Sequence, residues 1–270
     1  VLRLDAGPQD VDLRLHLLEA EKRGWTVIAP HHEAAAGFMA EAASRMTGKP
    51  AVCIGTLGPG IANAAPAIQC ALVENSPVIF LSGQRARVTE QRVRRGRIQF
   101  VKQMPLFENS VKYAASIEYA DQTDEIIREG IRKAMGGTPG PVYIEYPSHI
   151  ITEELDLPEP LPPARYRLVN QGADIDRIAE AAELIRQAKN PILLVGHGVH
   201  TSRTGEAVRQ LAELMNCPVI QTSGGTSYIP GLEDRTFQYV FSRASIVEVE
   251  ESDLCLALGT ELGEPVHYGR

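Results

Sequence analysis

The chain has 270 residues, 44% hydrophobic and 23% charged, with a formal net charge of −7 at neutral pH. That length holds one large domain or two ordinary ones, and the acidic balance argues against nucleic-acid binding driven by the whole surface. The longest apolar runs, such as "PVIFL" and "PILLV", are strand-sized, so no membrane-spanning helix is expected.

The opening "VLRLDAGPQD" lacks the basic start and apolar core of a signal peptide, and is read as beginning inside a strand. Short β-branched runs then alternate with helical stretches, the pattern of a parallel sheet covered by helices. The expected strands are "VLRL", "TVIA", "AVCIG", "PVIFLSG", "YAASI" and "PVYIEYP". Helices are expected near Asp10–Lys22, Glu33–Thr47, Ile61–Glu74 and Thr123–Met135, with glycine or proline at most junctions. Residues 1–152 are thus read as one α/β domain. Residues 153–168 include "ELDLPEPLPPARYR", proline-rich and aperiodic, as an extended linker is.

The αβ alternation restarts over residues 169–270. A helix at Ile175–Ala188 leads to "PILLVG", a helix near Gly205–Met215, "CPVIQT" and "DLCLALGT". This second, Rossmann-like domain is read as incomplete. Cys53, Cys70, Cys217 and Cys255 lie far apart without metal-ligand spacing, as reduced thiols of a cytoplasmic protein do.

Two stretches carry chemistry. In "APHHEAAAGFMAE", His31, His32 and Glu33 stand where an apolar run turns into a helix. In "CIGTLGPGIAN", Gly58 and Gly60 flank Pro59 between a strand and a helix, and Asn63 falls in the first helical turn. Such a turn is either a tight junction or a backbone that a ligand approaches. It lacks the acidic residue of a dinucleotide fingerprint and the Gly-Lys-Ser/Thr of a phosphate loop. Arg85, Arg87, Arg92, Arg94, Arg95 and Arg97 form a basic cluster without interleaved aromatics. Arginines in solvent or at a subunit interface, paired with the many carboxylates, explain it better than a nucleic-acid site.

In order along the chain, "HHEAAAGFMAEAASRMTGKPAV", "GTLGPGIAN", "ENSPVIFLSGQ", "RIQFVKQMPLFENSVKYA" and "GGTPGPVYIEYPSHI" resemble the pyrimidine-binding domain of thiamine-diphosphate enzymes. The resemblance is greatest to the acetolactate synthase, benzaldehyde lyase and 2-oxo acid decarboxylase branch. It covers the whole first domain, and the linker and second domain look like that family's central domain. In the family, the glutamate of the His-Glu pair hydrogen-bonds the cofactor's aminopyrimidine and helps generate the imine that deprotonates the thiazolium carbon. The resulting ylide attacks a carbonyl. The resemblance places Glu33 in that role, and a carboxyl that trades a proton with a weakly basic ring works best away from water. Val27, Ile28 and Ala34 to Ala36 are the apolar neighbours expected to exclude it.

The same resemblance puts Gly58 and Asn63 beside the cofactor. Thr56 matches a position facing substrate in some decarboxylases, and Gln99 and Gln103 resemble glutamines of a loop reaching into the neighbouring subunit's site. His32 stands where relatives usually carry arginine; it contacts substrate, orders the glutamate or packs, and His31 is unassigned. Asp5 and Ala6 replace the usual Pro-Gly pair beside the substrate. The family's diphosphate and magnesium are held by Gly-Asp-Gly and a later asparagine, and no Gly-Asp-Gly occurs in these 270 residues. Magnesium ligands are therefore expected in another domain and none in this chain.

The resemblance thus implies a fragment of a thiamine-diphosphate-dependent lyase or carboligase, inactive alone. It would act on a 2-oxo acid or related carbonyl compound, as a homodimer or homotetramer without nucleic-acid or membrane partners. The alternatives are the pyrimidine-domain subunit of a split decarboxylase, or a non-catalytic nucleotide-binding or regulatory α/β protein using "GHGV".

Overall fold

The alanine-rich stretch after His32 folds as helix α1, Glu33–Thr47, in the computed structural model, which describes residues 17–90, 99–151, 153, 172–225, 229–239, 243–263 and 266. Alanine loses no side-chain entropy in a helix. Gly48 stops the helix in the left-handed region, at φ 64°, and its N–H bonds back to the Ser44 carbonyl. The chain divides into two compact units, Val1–Asn170 and Gln171–Arg270.

In the first unit α1 leads to β1 (Ala51–Gly55), a short helix α2 (Pro59–Ala62), α3 (Ala65–Val73) and β2 (Val78–Gln84). Short helices α4 (Arg87–Glu90) and α5 (Met104–Phe107) precede β3 (Tyr113–Ser116), α6 (Thr123–Met135) and β4 (Val142–Pro147). The four strands are parallel, in the order β1-β2-β4-β3. Strands in such a sheet are covered on both faces, and Val78, Phe80, Val142 and Ile144 are fully buried. On one side Ala36, Ala40, Ile61, Ile68, Phe80 and Tyr143 form a single cluster. There α1 and α3 meet closely because Gly37 has no side chain; a Cβ on it would stand 2.4 Å from that of Ala67.

Two expected elements differ. The helix expected over Ile61–Glu74 is broken at Asn63 and Ala64. Pro66 has no N–H to give the Ala62 carbonyl, so the first helical ladder cannot continue; the Ala64 N–H turns to Ile61 and α3 starts afresh. The strand expected at Thr26–Ala29 is absent: residues 25–30 are irregular. Trp25 is 63% and Ile28 42% exposed, so these apolar side chains are not packed into a layer of the described residues. "VLRL", residues 10–16 of the first expected helix, Asp5 and Ala6, and nearly all of the linker lie outside the described residues.

The second unit runs α7 (Ile175–Gln187), β5 (Pro191–Val195), α8 (His197–Thr201), α9 (Gly205–Met215), β6 (Val219–Gln221), β7 (Thr236–Gln238), α10 (Arg243–Glu251) and β8 (Leu254–Leu258). Its strands are also parallel, in the order β7-β6-β5-β8. The α/β reading therefore holds in both units. Helices α8 and α10 and strand β7 were not expected; α8 and β7 are too short to show a hydrophobic period. No helix of the described residues is long and apolar enough to cross a membrane.

Candidate active site

Open parallel sheets bind ligands beyond the carboxyl ends of their strands. In the first unit that end of the sheet holds the polar residues. Strand β1 stops at Gly55, and the chain turns through Thr56, Leu57 and Gly58 into α2. Gly58 sits at φ 66°, ψ −121°. A Cβ there would lie 2.0 Å from the Gln99 carbonyl oxygen, so this position requires glycine for space as well as conformation. Gly60 packs on Thr56, whose methyl would be 2.3 Å from a Cβ at that position.

Glu33 is the first residue of α1 and is 5% exposed. Asn63, just after α2, donates from Nδ2 to Glu33 Oε2 at 3.2 Å; among the described residues it is the only hydrogen-bond partner of that carboxyl group. Oε1 lies on the Gly60 side, 3.8 Å from where a Cβ would be. The other buried acid of α1, Glu41, has a different setting: Ser76 Oγ donates to it at 3.1 Å and Arg45 at 3.2 Å. Glu41 is neutralised by a cation and tied into the packing. Glu33 is held by a neutral amide.

The expected apolar shield is only partly realised. Ala36 is buried, whereas Ala35 and Ile28 are exposed. The Glu33 carboxyl is covered from the other side, by Asn63 and the Gly60 turn. Cys53, on β1, lies within its field. Burial first, and the nearby Glu33 charge to a smaller extent, push the Cys53 thiol up to about 12. Cys53 is therefore a packing residue, as expected from its apolar surroundings.

His32 has a definite local job. It is the N-cap of α1, and its Nδ1 accepts from the Ala34 N–H at 3.1 Å. A histidine can cap this way only with Nδ1 unprotonated. Both His31 and His32 are exposed. Thr56 is buried at the mouth of β1, and its carbonyl accepts the Ile61 N–H at 2.9 Å. Gln99 is exposed at φ 61° and lies against Gly58.

Gln103 lies inside the protein. It is 1% exposed, and its amide is spent inside the protein on Gly58, Ser82, Gly83 and Tyr143. The structure also brings in residues that sequence reasoning passed over: Ser82 and Gln84 on β2, Tyr143 and Glu145 on β4, all buried. Glu145 Oε2 lies 3.3 Å from Tyr143 OH and 3.5 Å from Gln84 Nε2. Burial first, then the Glu145 charge, raise the Tyr143 phenol, which keeps it a neutral donor. A signal for this cluster existed: "VYIEYP" places one acid inside an otherwise buried strand.

Of the basic cluster, Arg87 pairs with Glu118 through two nitrogens, Nε to Oε2 at 2.6 Å, and bonds Ser116 Oγ at 2.8 Å. This is the carboxylate pairing expected for these arginines. The Arg87 hydrogen bond holds the Glu118 carboxyl below its ordinary value of 4.5. Arg92, Arg94, Arg95 and Arg97 lie outside the described residues. Among the described residues no group of three or more His, Cys, Asp or Glu side chains is placed to hold a metal ion.

A parallel α/β unit with a glycine turn, a buried acid and an orienting amide at its strand ends is a cofactor-binding unit in design. Comparison with known families specifies which. Residues 11–106 match the family model "Thiamine pyrophosphate enzyme, N-terminal TPP binding domain" and residues 178–270 match "Thiamine pyrophosphate enzyme, central domain". Together they span more than half of the chain, which belongs to the thiamine pyrophosphate (thiamine diphosphate) enzyme family, as its motifs implied.

Among similar proteins, the probable acetolactate synthase large subunit of Methanococcus aeolicus is 35% identical over 202 residues, 73% of this chain and 33% of the relative. That of Methanocaldococcus jannaschii is 30% identical over 249 residues, covering 88% and 41%. The 2-hydroxyacyl-CoA lyase 2 of Danio rerio is 27% identical over 289 residues, covering 94% and 45%. The chain thus spans less than half the length of these relatives.

Proposed function

We propose that this chain supplies the pyrimidine-binding side of a thiamine-diphosphate-dependent lyase or carboligase, acetolactate synthase-like, acting on a 2-oxo acid or related carbonyl compound. The observation that carries the reading is the buried Glu33 carboxyl, held at Oε2 by Asn63 and, among the described residues, without a hydrogen bond at Oε1. That donor set fits a nitrogen heterocycle, since one oxygen is fixed by a neutral amide and the other is left to share a proton with the ring. When bound, the cofactor supplies a nucleophilic carbon toward the substrate carbonyl.

The chain's own residues then divide the work. Glu33 holds and passes a proton at Oε1, and its burial keeps water from competing for it. Asn63 fixes the carboxyl's orientation, and Gly58 and Gly60 let a ligand approach the backbone. Thr56 and Gln99 border the substrate side, while His32 holds the start of the helix that presents Glu33. Diphosphate and magnesium are assigned to a domain outside these residues, a reading supported by the greater length of the relatives. We assign the protein to the cytoplasm, as a homodimer or homotetramer, in keeping with its free cysteines.

The test is Glu33→Gln in the full-length protein. The circular dichroism spectrum should be unchanged. Thiazolium proton exchange, followed by NMR in deuterated buffer, should slow by about 10²-fold or more, the contribution of a positioned acid–base group. Exchange near the wild-type rate would sink the assignment.

A further inference from the structure

We infer that Gln103 is a positioning residue that locks the Gly58 turn, and through it the Asn63–Glu33 pair, in one arrangement. Its Oε1 accepts the Gly58 N–H at 2.5 Å. Its Nε2 lies 3.0 Å from Tyr143 OH, 3.1 Å from the Gly83 carbonyl, 3.2 Å from Ser82 Oγ and 3.5 Å from Glu145 Oε2. The amide has one possible orientation. A backbone N–H only donates and a carbonyl oxygen only accepts, so a flip would set N–H against N–H and oxygen against oxygen. A buried carboxamide fixed at both ends joins the carboxyl ends of β2 and β4 to a turn 45 residues back in the chain.

The route from that turn to the acid is short. The Gly58 carbonyl accepts the Ala62 N–H at 3.0 Å and the Pro59 carbonyl accepts the Asn63 N–H at 2.9 Å. Gly58 thereby starts the helical turn that ends at Asn63, whose side chain holds Glu33. Gly60, inside the same turn, borders Glu33 Oε1. A rotation of the Gly58 peptide would move the amide that orients the carboxyl and the Gly60 backbone beside it together. The Gly58 N–H is itself buried, so leaving it without an acceptor is unfavourable.

The link to chemistry rests on the proposed role of Glu33, and the test separates the two. Gln103→Leu removes both ends of the clamp. Gln103→Glu keeps an acceptor for Gly58 but sets a carboxylate oxygen against the Gly83 carbonyl and Glu145; the titratable groups within hydrogen-bond distance are Tyr143 and Glu145. In the cofactor-free full-length protein, hydrogen–deuterium exchange of peptides covering residues 56–63 should rise at least tenfold in Gln103→Leu, with residues 113–116 of β3 unchanged. With cofactor, thiazolium proton exchange should slow about 10²-fold, as for a displaced catalytic group. Gln103→Glu should show both defects at pH 8 and recover within a few-fold of wild type near pH 5, where the introduced carboxyl regains a proton to donate. Wild-type protection at residues 56–63, uniform loss of protection across the unit, or a pH-independent Gln103→Glu defect would each overturn the inference. The protection measurement stands even if Glu33→Gln leaves proton exchange intact, an outcome that removes only the catalytic reading.

Discussion

Each unit of this chain has a strand that runs into a glycine turn and a short helix, and the two turns are built differently. In the first, β1 leads to Gly58, which packs on the Gln99 main chain and gives its N–H to the Gln103 amide, and to Gly60, which packs on the Thr56 methyl near the Glu33–Asn63 pair. In the second, β5 leads to Gly196 and Gly198, which pack on backbone. A Cβ at Gly196 would lie 2.4 Å from the Gly259 carbonyl oxygen, and one at Gly198 2.7 Å from the Gly259 Cα. His197 Nδ1 lies 3.2 Å from the Gly224 carbonyl oxygen. Glycine in a strand-to-helix turn therefore answers two needs. In both units it lets main chain approach main chain; in the first, Gly60 also lets a side-chain methyl pack close to a buried acid.

Substitution at the glycines that each need glycine most should break the comparison hardest. Gly58→Ala meets a carbonyl at 2.0 Å from a left-handed conformation, and should cost at least about 2 kcal/mol. Gly259→Ala, at φ 60° with the Val199 nitrogen 2.6 Å from the new Cβ, should cost about 1–2 kcal/mol. Denaturant unfolding gives both losses. Hydrogen exchange should localise them, around residues 56–63 for the first and residues 196–199 for the second. Equal effects of both on cofactor binding would erase the distinction between the two turns.

Acid should act on ties outside either turn. Glu118, paired with Arg87, has its folded value lowered, so its stabilisation is fully present above the ordinary carboxyl value of 4.5 and is lost as pH falls through the folded value. Its side chain is 40% exposed, so solvent screens the pair and the effect is small. Glu118→Gln should lower the thermal midpoint slightly at pH 7 and flatten the acid limb below about 4.5, as thermal melts across pH would show. The smallest effect is a control. Gly205 begins α9 with nothing within 4 Å of its Cβ position, and Gly205→Ala should be neutral or stabilise by up to about 0.5 kcal/mol. A loss there comparable to Gly58→Ala would show that glycine matters at these junctions for a reason other than space.

Much of the first unit was legible along the chain. The bounds Glu33–Thr47, Ala51–Gly55 and Thr123–Met135 fall where read, because helix period, apolar runs and glycine or proline stops are local signals. Glu33 was legible as an acid at a helix start with a motif behind it. The role of His32 was not, although a residue directly before a helix is where a cap belongs. Thr26–Ala29 carried a strand-like run without a neighbouring strand in the described sheet, and β-propensity depends on that neighbour.

By itself, then, the chain determined most of its elements, its family and the place of Glu33 at a helix start, all of which depend on residues close together in sequence. Only the tertiary structure decided which polar side chains turn inward. Register sets Phe80 beside Tyr143 and Ser82 beside Glu145, and strand order carries that polar edge to Gln103 and so to Gly58. A glutamine in a loop reads as an exposed donor until a buried N–H, 45 residues away, is found to be waiting for it. Hydrogen bonds between distant residues are fixed by packing and register, which no local pattern records.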